Sequence, residues 1–231
     1  MGTDLSISLI KESGKYFEFL AALTGTIYFY KYKHTYLKYF LFLLWFITFS
    51  EFFADYIYDN KIKALLYYNP SNNWYYTHWI YNVIDTVSFI VYYFIYYNAV
   101  STKKFKNWIK IFAFSYVILS IANWIFVQNF LGEMQSYLFI IGAIFLIISI
   151  IFYFIELLRS DKVLIFHKNL LFWVSVGLLL FYSGNIPFAA EYNGYALIPG
   201  IHKLFLITNI LAILMYLIFI FGFIWSKKES H

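Results

Sequence analysis

The stretch QSYLFIIGAIFLIISIIFYFIELL, Gln135 to Leu158, decides the fold. Its one ionisable residue, Glu156, comes almost at the end. About 20 mostly apolar residues suffice for a helix to cross hydrocarbon, and a helix satisfies its own backbone polar groups there. The same reading, carried outward, gives seven runs: about 15–32, 37–58, 76–98, 108–128, 135–158, 169–190 and 201–225. The third is least defined at its start, where NPSNNWYYTHWIYN is polar and aromatic together. The expected fold is all-α and integral to the membrane: one seven-transmembrane helix bundle over residues 1–231. No cleavable signal peptide is expected, because Asp4, Lys11, Glu12 and Lys15 interrupt the first residues.

Composition agrees. Of 231 residues, 62% are hydrophobic and 13% charged, against about 45–50% and about 25% in soluble domains. No cysteine is present, which removes disulfides, thiolate nucleophiles and thiolate metal sites. The net charge of +5 does not point to nucleic acid, because the 17 basic residues sit in or beside loops and tails. They set direction instead. Lys31, Lys33, Lys38, Lys103, Lys104, Lys106, Lys110, Arg159, Lys162, Lys168, Lys227 and Lys228 fall on one side, twelve in all. Five fall on the other: Lys11, Lys15, Lys61, Lys63 and Lys203. The N-terminus is therefore expected outside and the C-terminus in the cytoplasm. Abundant Lys, Asn, Ile, Tyr and Phe suggest a bacterial source, hence an inner membrane.

Ionisable groups inside spans are functional-site candidates by default. With this direction, nearly all of them fall in the outer leaflet. Glu18 is placed near the outer surface of span one. Glu51 and Asp55, four apart on span two, share a face. So do His78, Asn82 and Asp85 on span three, and His202 and Asn209 on span seven. Asn123 ends span four, and Asn185 lies near the end of span six. Polar faces on several helices should turn inward, so a cavity open to the outside is expected. Glu51, Asp55, His78, Asn82, Asp85, Asn123, Asn185, His202 and Asn209 are its candidate ligand-binding residues. Asp85 is the deepest of span three's polar groups, with His78, His202 or Asn209 as expected partners. Asn123 and Asn209 also suit plain interhelical hydrogen bonding.

Span six, FWVSVGLLLFYSGNIPF from Phe172 to Phe188, breaks its apolar pattern at Ser183, Gly184, Asn185 and Pro187. Proline removes a backbone donor and crowds the carbonyl four residues back. A hinge or cap at Gly184 and Pro187 is one reading; a simple helix end is the other. Gly177 and Gly184, seven apart, leave a groove for a neighbouring helix.

Several chemistries find no footing. A retinal receptor needs a lysine within span seven, and residues 204–225 hold none. Seven-helix zinc hydrolases use three histidines, two of them as H-x-x-x-H; here only His78 and His202 lie near the outer leaflet. There is no G-x-S-x-G elbow and no phosphate-binding glycine motif. No cofactor, metal or enzymatic activity is expected. No internal repeat marks a transporter built from duplicated halves.

YFIELLRSDKV, Tyr153 to Val163, followed by FHKNLLFWVSVGLLLFYSGNIPF, Phe166 to Phe188, resembles a stretch in small seven-helix membrane proteins of Bacteroidota. That group is similar to the membrane region of sensor histidine kinases. The resemblance covers about 35 residues and brings no catalytic residue. It implies a receptor-like sensor that reads a ligand, lipid or proton signal and acts through a cytoplasmic partner such as a histidine kinase. Arg159 and Lys162 would meet that partner. A small-solute transporter or ion channel is the alternative, followed by an intramembrane metal-dependent lipid hydrolase or an accessory subunit of a membrane complex. The oligomeric state is not legible.

Overall fold

The computed structural model describes the backbone of residues 2–70, 74–195 and 202–228, and side chains within 13–70, 75–160, 165–190 and 206–228. Seven long helices follow one another: α1 (Gly2–Ile27), α2 (Lys38–Asp59), α3 (His78–Ala99), α4 (Lys103–Phe126), α5 (Ser136–Arg159), α6 (Leu170–Tyr195) and α7 (His202–Trp225). Six of them, α2 to α7, contain stretches long and apolar enough to cross a membrane. The first helix has 26 residues, about 39 Å of helix, with side chains described from Ser13 onward. This is a helical membrane protein.

Several boundaries differ from the sequence expectation. α1 starts at Gly2 and ends at Ile27, so Glu18 lies well inside the helix rather than near its outer end. The chain then makes a short 3-10 turn, Phe29–Lys31. α4 starts five residues earlier than its apolar run, at Lys103, because Glu156 of α5 caps it. One Glu156 oxygen accepts the Ser101 N–H (2.7 Å) and hydroxyl (2.8 Å), and the other accepts the Thr102 N–H (2.7 Å). A carboxylate at a helix N-terminus satisfies donors that have no partner within the helix. The α2–α3 connection is not purely loop. Tyr67–Asn69 (β1) pairs antiparallel with Trp74–Tyr76 (β2), Tyr68 opposite Tyr75. Runs of tyrosine and tryptophan flanking NPSNN suit a hairpin.

α1 packs on α2 and α7, α2 on α3, α3 on α4 and α5, α5 on α6, and α6 on α7. Six helices thus close a ring, and α4 lies outside it against α3 and α5. The outer surface is apolar, and the apolar core also holds polar side chains. Phe49, Phe52 and Tyr56 of α2 and Phe114, Ile118 and Ile125 of α4 are exposed. Thr48, Ser88, Ser120, Ser149, Ser175, Tyr93, Tyr96, Tyr116, Tyr182 and Tyr216 are buried. Lipid favours this arrangement, since a polar side chain facing hydrocarbon has no partner.

α6 runs through Pro187 to Tyr195 as one helix, so the proline does not terminate it. The polar residues of the break fold back on their own helix. The Ser183 hydroxyl donates to the Leu179 carbonyl (2.5 Å), and the Asn185 amide donates to the Phe181 carbonyl (2.8 Å). The two glycines face α7. A β-carbon on Gly177 would sit 2.7 Å from a Phe219 ring carbon and 3.3 Å from the Met215 carbonyl oxygen; on Gly184 it would sit 2.6 Å from a Leu211 methyl. Gly177→Ala is expected to cost about 1–3 kcal/mol, because a backbone carbonyl cannot turn aside. Gly184→Ala should cost less, because the Leu211 side chain can. Thermal unfolding of both variants in detergent checks the order.

Candidate functional site

The sequence-predicted residues fall into distinct groups. Asn82 of α3 serves the α4–α5 loop. Its amide donates to the carbonyls of Phe130 (2.8 Å) and Glu133 (2.9 Å), and its oxygen accepts the Gln135 N–H (3.1 Å). Asn123 of α4 donates to the side-chain oxygens of Gln135 and Gln128, and the Gln128 amide reaches the Met134 carbonyl (3.1 Å). These amides form a clamp that holds residues 128–135 across the ends of α3, α4 and α5. Asn185 is spent on its own helix. His78 stacks on the Tyr76 ring at 4.6 Å, where β2 meets α3.

Asp85 sits one helical turn beyond Asn82, towards the middle of the bundle. The tyrosines Tyr92, Tyr116 and Tyr182 surround it electrostatically. No hydrogen bond or ion pair joins it to His78 or Asn209 among the described residues. The His202 side chain, a third expected partner, lies outside the described residues, as does that of Lys162. Arg159 is exposed at the end of α5.

Glu51 and Asp55 lie in a second ionisable group, and α1 contributes its core. Glu18 is 2% exposed. It lies nine residues before the end of α1, and Tyr216 lies nine before the end of α7, so the two are level. The Tyr216 hydroxyl donates to one Glu18 oxygen (3.0 Å). The other oxygen is buried and has no hydrogen-bond partner. Thr48 and Glu51 of α2 face the same carboxylate. One turn further along α2, Asp55 is ion-paired with Lys15 of α1. Lys15 also faces Glu18 and Glu51.

Tyrosines connect the two ionisable groups. Tyr92 of α3 faces both Asp85 and Glu18, and Tyr182 of α6 lies within its hydrogen-bonding reach, ring centroids 6.2 Å apart. Tyr93 donates to the Gly142 carbonyl of α5 (2.9 Å). The Tyr96 hydroxyl meets that of Ser175 on α6 at 2.7 Å, and Ser175 in turn donates to the Leu171 carbonyl (2.7 Å). A series of hydroxyl and carboxyl groups therefore runs through the interior to the basic end of the bundle.

That end is locked by cations. The Lys31 ammonium donates to the carbonyls of Phe223 (3.0 Å), Ile224 (2.9 Å) and Ser226 (2.8 Å), which caps α7. Burial, then the nearby Lys168 charge, draws Lys31 below the ordinary lysine value. The Lys168 ammonium sits 3.5 Å from the centroid of the Trp225 ring. Among the described residues no group of three or more His, Asp or Glu side chains is placed to hold a metal ion.

Sequence reasoning named Glu18 but left it out of the candidate cavity, and it did not single out Tyr92, Tyr182 or Tyr216. Starting span one at residue 15 put Glu18 near a helix end, whereas α1 begins at Gly2 and brings Glu18 level with Tyr216. The spacing of Tyr92, Tyr93 and Tyr96 mid-way along an apolar helix is the available signal for an inward face.

Fold and interior define the class: a polytopic helical membrane protein with an ionisable core. No protein-family model, no curated protein and no solved structure matches the chain.

Asn82→Ala removes three hydrogen bonds and strands a buried N–H. A loss of about 2 kcal/mol is expected, with faster amide exchange confined to residues 128–135 in hydrogen–deuterium exchange. Uniformly faster exchange would contradict the clamp.

Proposed function

We propose that the chain is a receptor-like signalling protein of the bacterial inner membrane. It has seven spans, its N-terminus outside and its C-terminus in the cytoplasm. Twelve basic residues at one end against five at the other support that direction. The observation that carries the reading is the polar series that runs from the half-buried Asp85 and Glu51, in the outer halves of α3 and α2, through buried tyrosines to Tyr96 and Ser175 at the basic end. Polar groups are costly in a bundle core, and a plain anchor has no use for them. A ligand, lipid or proton signal received among Glu51, Asp55, His78 and Asp85 alters their hydrogen bonding. α3 and α6 carry the change inward, and a cytoplasmic partner reads it beside Arg159. The resemblance of residues 153–188 to seven-helix proteins similar to sensor-kinase membrane regions supports a kinase as that partner.

The chain lacks cysteine, so Arg159→Cys provides a single attachment point for a fluorophore. In proteoliposomes its emission is expected to change when the outer solution is acidified, and Asp85→Asn is expected to abolish the change. An unaltered response in both Asp85→Asn and His78→Ala would sink the site assignment. Liposomes loaded with a pH dye should leak protons no faster than empty ones. Sustained flux, lost in Asp85→Asn, would replace the signalling reading by a transporter or channel.

A further inference from the structure

Glu18 is the most demanding group in the molecule. It is a carboxylate some 14 Å of helix from the nearer end of α1. Around it stand Glu51 and Thr48 from α2, Tyr216 from α7, Tyr92 from α3 and Lys15 from its own helix. Glu51 is faced in turn by Lys15, Asp55, Glu18 and Tyr216. With all three carboxyls ionised, the group carries three negative charges against the single ammonium of Lys15, which Asp55 already engages. Two uncompensated negative charges near one another, one of them on the buried Glu18, disfavour the fully ionised state. A second, independent observation points the same way: one Glu18 oxygen is buried without a donor, because the nearby Thr48 hydroxyl gives its proton to the Leu44 carbonyl (2.9 Å). An orphaned oxygen of this kind marks a place for a positive partner.

Metal cations fit poorly. Calcium takes 6–8 oxygens and magnesium six in near-ideal geometry. The acids here are Glu18, Glu51 and Asp55 and the hydroxyls Thr48, Tyr92 and Tyr216, and the Lys15 ammonium already faces all three acids, so a divalent cation would stand beside a resident positive charge. A proton needs only a carboxylate oxygen without another donor, which Glu18 has, with the Glu51 charge nearby to favour its uptake.

We propose that Glu18 and Glu51 form a membrane-embedded proton-binding pair, filled and emptied from the hairpin end of the bundle past the Lys15–Asp55 ion pair. Uptake moves a proton from hydronium to a carboxylate oxygen and leaves water and a neutral carboxyl. The neutral carboxyl donates to the facing carboxylate, and the Tyr216 hydroxyl continues to donate to Glu18. Lys15 shields the remaining charge. The proposal concerns the chemistry of the pair itself and does not depend on the signalling reading, since a proton-binding pair can exist without a downstream partner.

Infrared difference spectroscopy on the reconstituted full chain tests it. Wild type should show a protonated-carboxyl C=O band on passing from alkaline to acid buffer that the Glu18→Gln/Glu51→Gln double variant lacks. In wild type, carboxyl-labelled glutamate should shift that band and labelled aspartate should not, a readout that does not require any variant to fold. Tyr216→Phe should move its frequency without removing it. The proposal is overturned if the band is unchanged in the double variant, or if only aspartate labelling shifts it, which would place the proton on Asp85 or another aspartate. Loss of the band on adding sodium at constant pH, with radioactive sodium retained by wild type and not by the double variant, would also overturn it in favour of a metal cation. The fluorophore response beside Arg159 is independent of all these readouts, so either reading can fail alone.

Discussion

The hydrogen bond from Tyr216 to Glu18 joins the last helix to the first, midway through the bundle. The rest of the fold depends on it because hydrocarbon offers no substitute partner. A carboxylate facing lipid at that depth would cost several kcal/mol. α1 must therefore turn Glu18 inward, and α7 must present Tyr216 at the same height. Once those helices are paired, α2 and α6 are held against their flanks, and α3 and α5 complete the ring. The glycine contacts between α6 and α7 and the Lys31 cap at the end of α7 act on the same junction. The glycines let the two backbones approach, and the cap removes carbonyls that would otherwise have no donors.

The helices themselves were legible in the sequence, because a continuous apolar run such as residues 135–158 admits one conformation in a membrane. Boundaries failed where polar residues extend a helix beyond its apolar stretch. α4 gains Lys103 to Asn107 because a carboxylate from α5 caps it, a tertiary contact that local sequence does not announce. α6 keeps going past Pro187, and its Ser183 and Asn185 side chains bond back to carbonyls of their own helix instead of facing a cavity. The hairpin between α2 and α3 was hidden for a related reason: aromatic pairs beside a polar turn read equally well as the frayed start of a span.

The interior was harder to read than the boundaries. Periodicity put Glu51, Asp55 and Asp85 on inward faces as parts of one cavity; Glu51 and Asp55 share a group with Lys15 and Glu18, whereas Asp85 stands apart among tyrosines. It could not say which amides would be consumed by backbone. Nor could it rank Glu18, whose depth depends on where α1 begins rather than on where its apolar run begins. Tyrosine is the most ambiguous residue here. Its ring suits an interface and its hydroxyl suits a buried network, and only packing decides which of the two a given tyrosine serves.

The amides and the carboxylates meet the same constraint with opposite outcomes. Asn82 has a donor group and an acceptor, and a nearby loop with exposed carbonyls and an N–H satisfies both. Its polarity is absorbed into structure. A carboxylate accepts only, and can take up several donors. Helix backbones inside a membrane have already spent their N–H groups on their own carbonyls, so few donors remain in the core. Glu18 finds one, on Tyr216. What is left is a demand for positive charge that a rigid bundle cannot meet from its own backbone. The proposed proton exchange therefore falls to the acids at the α1–α2–α7 junction rather than to the amides of the α4–α5 loop.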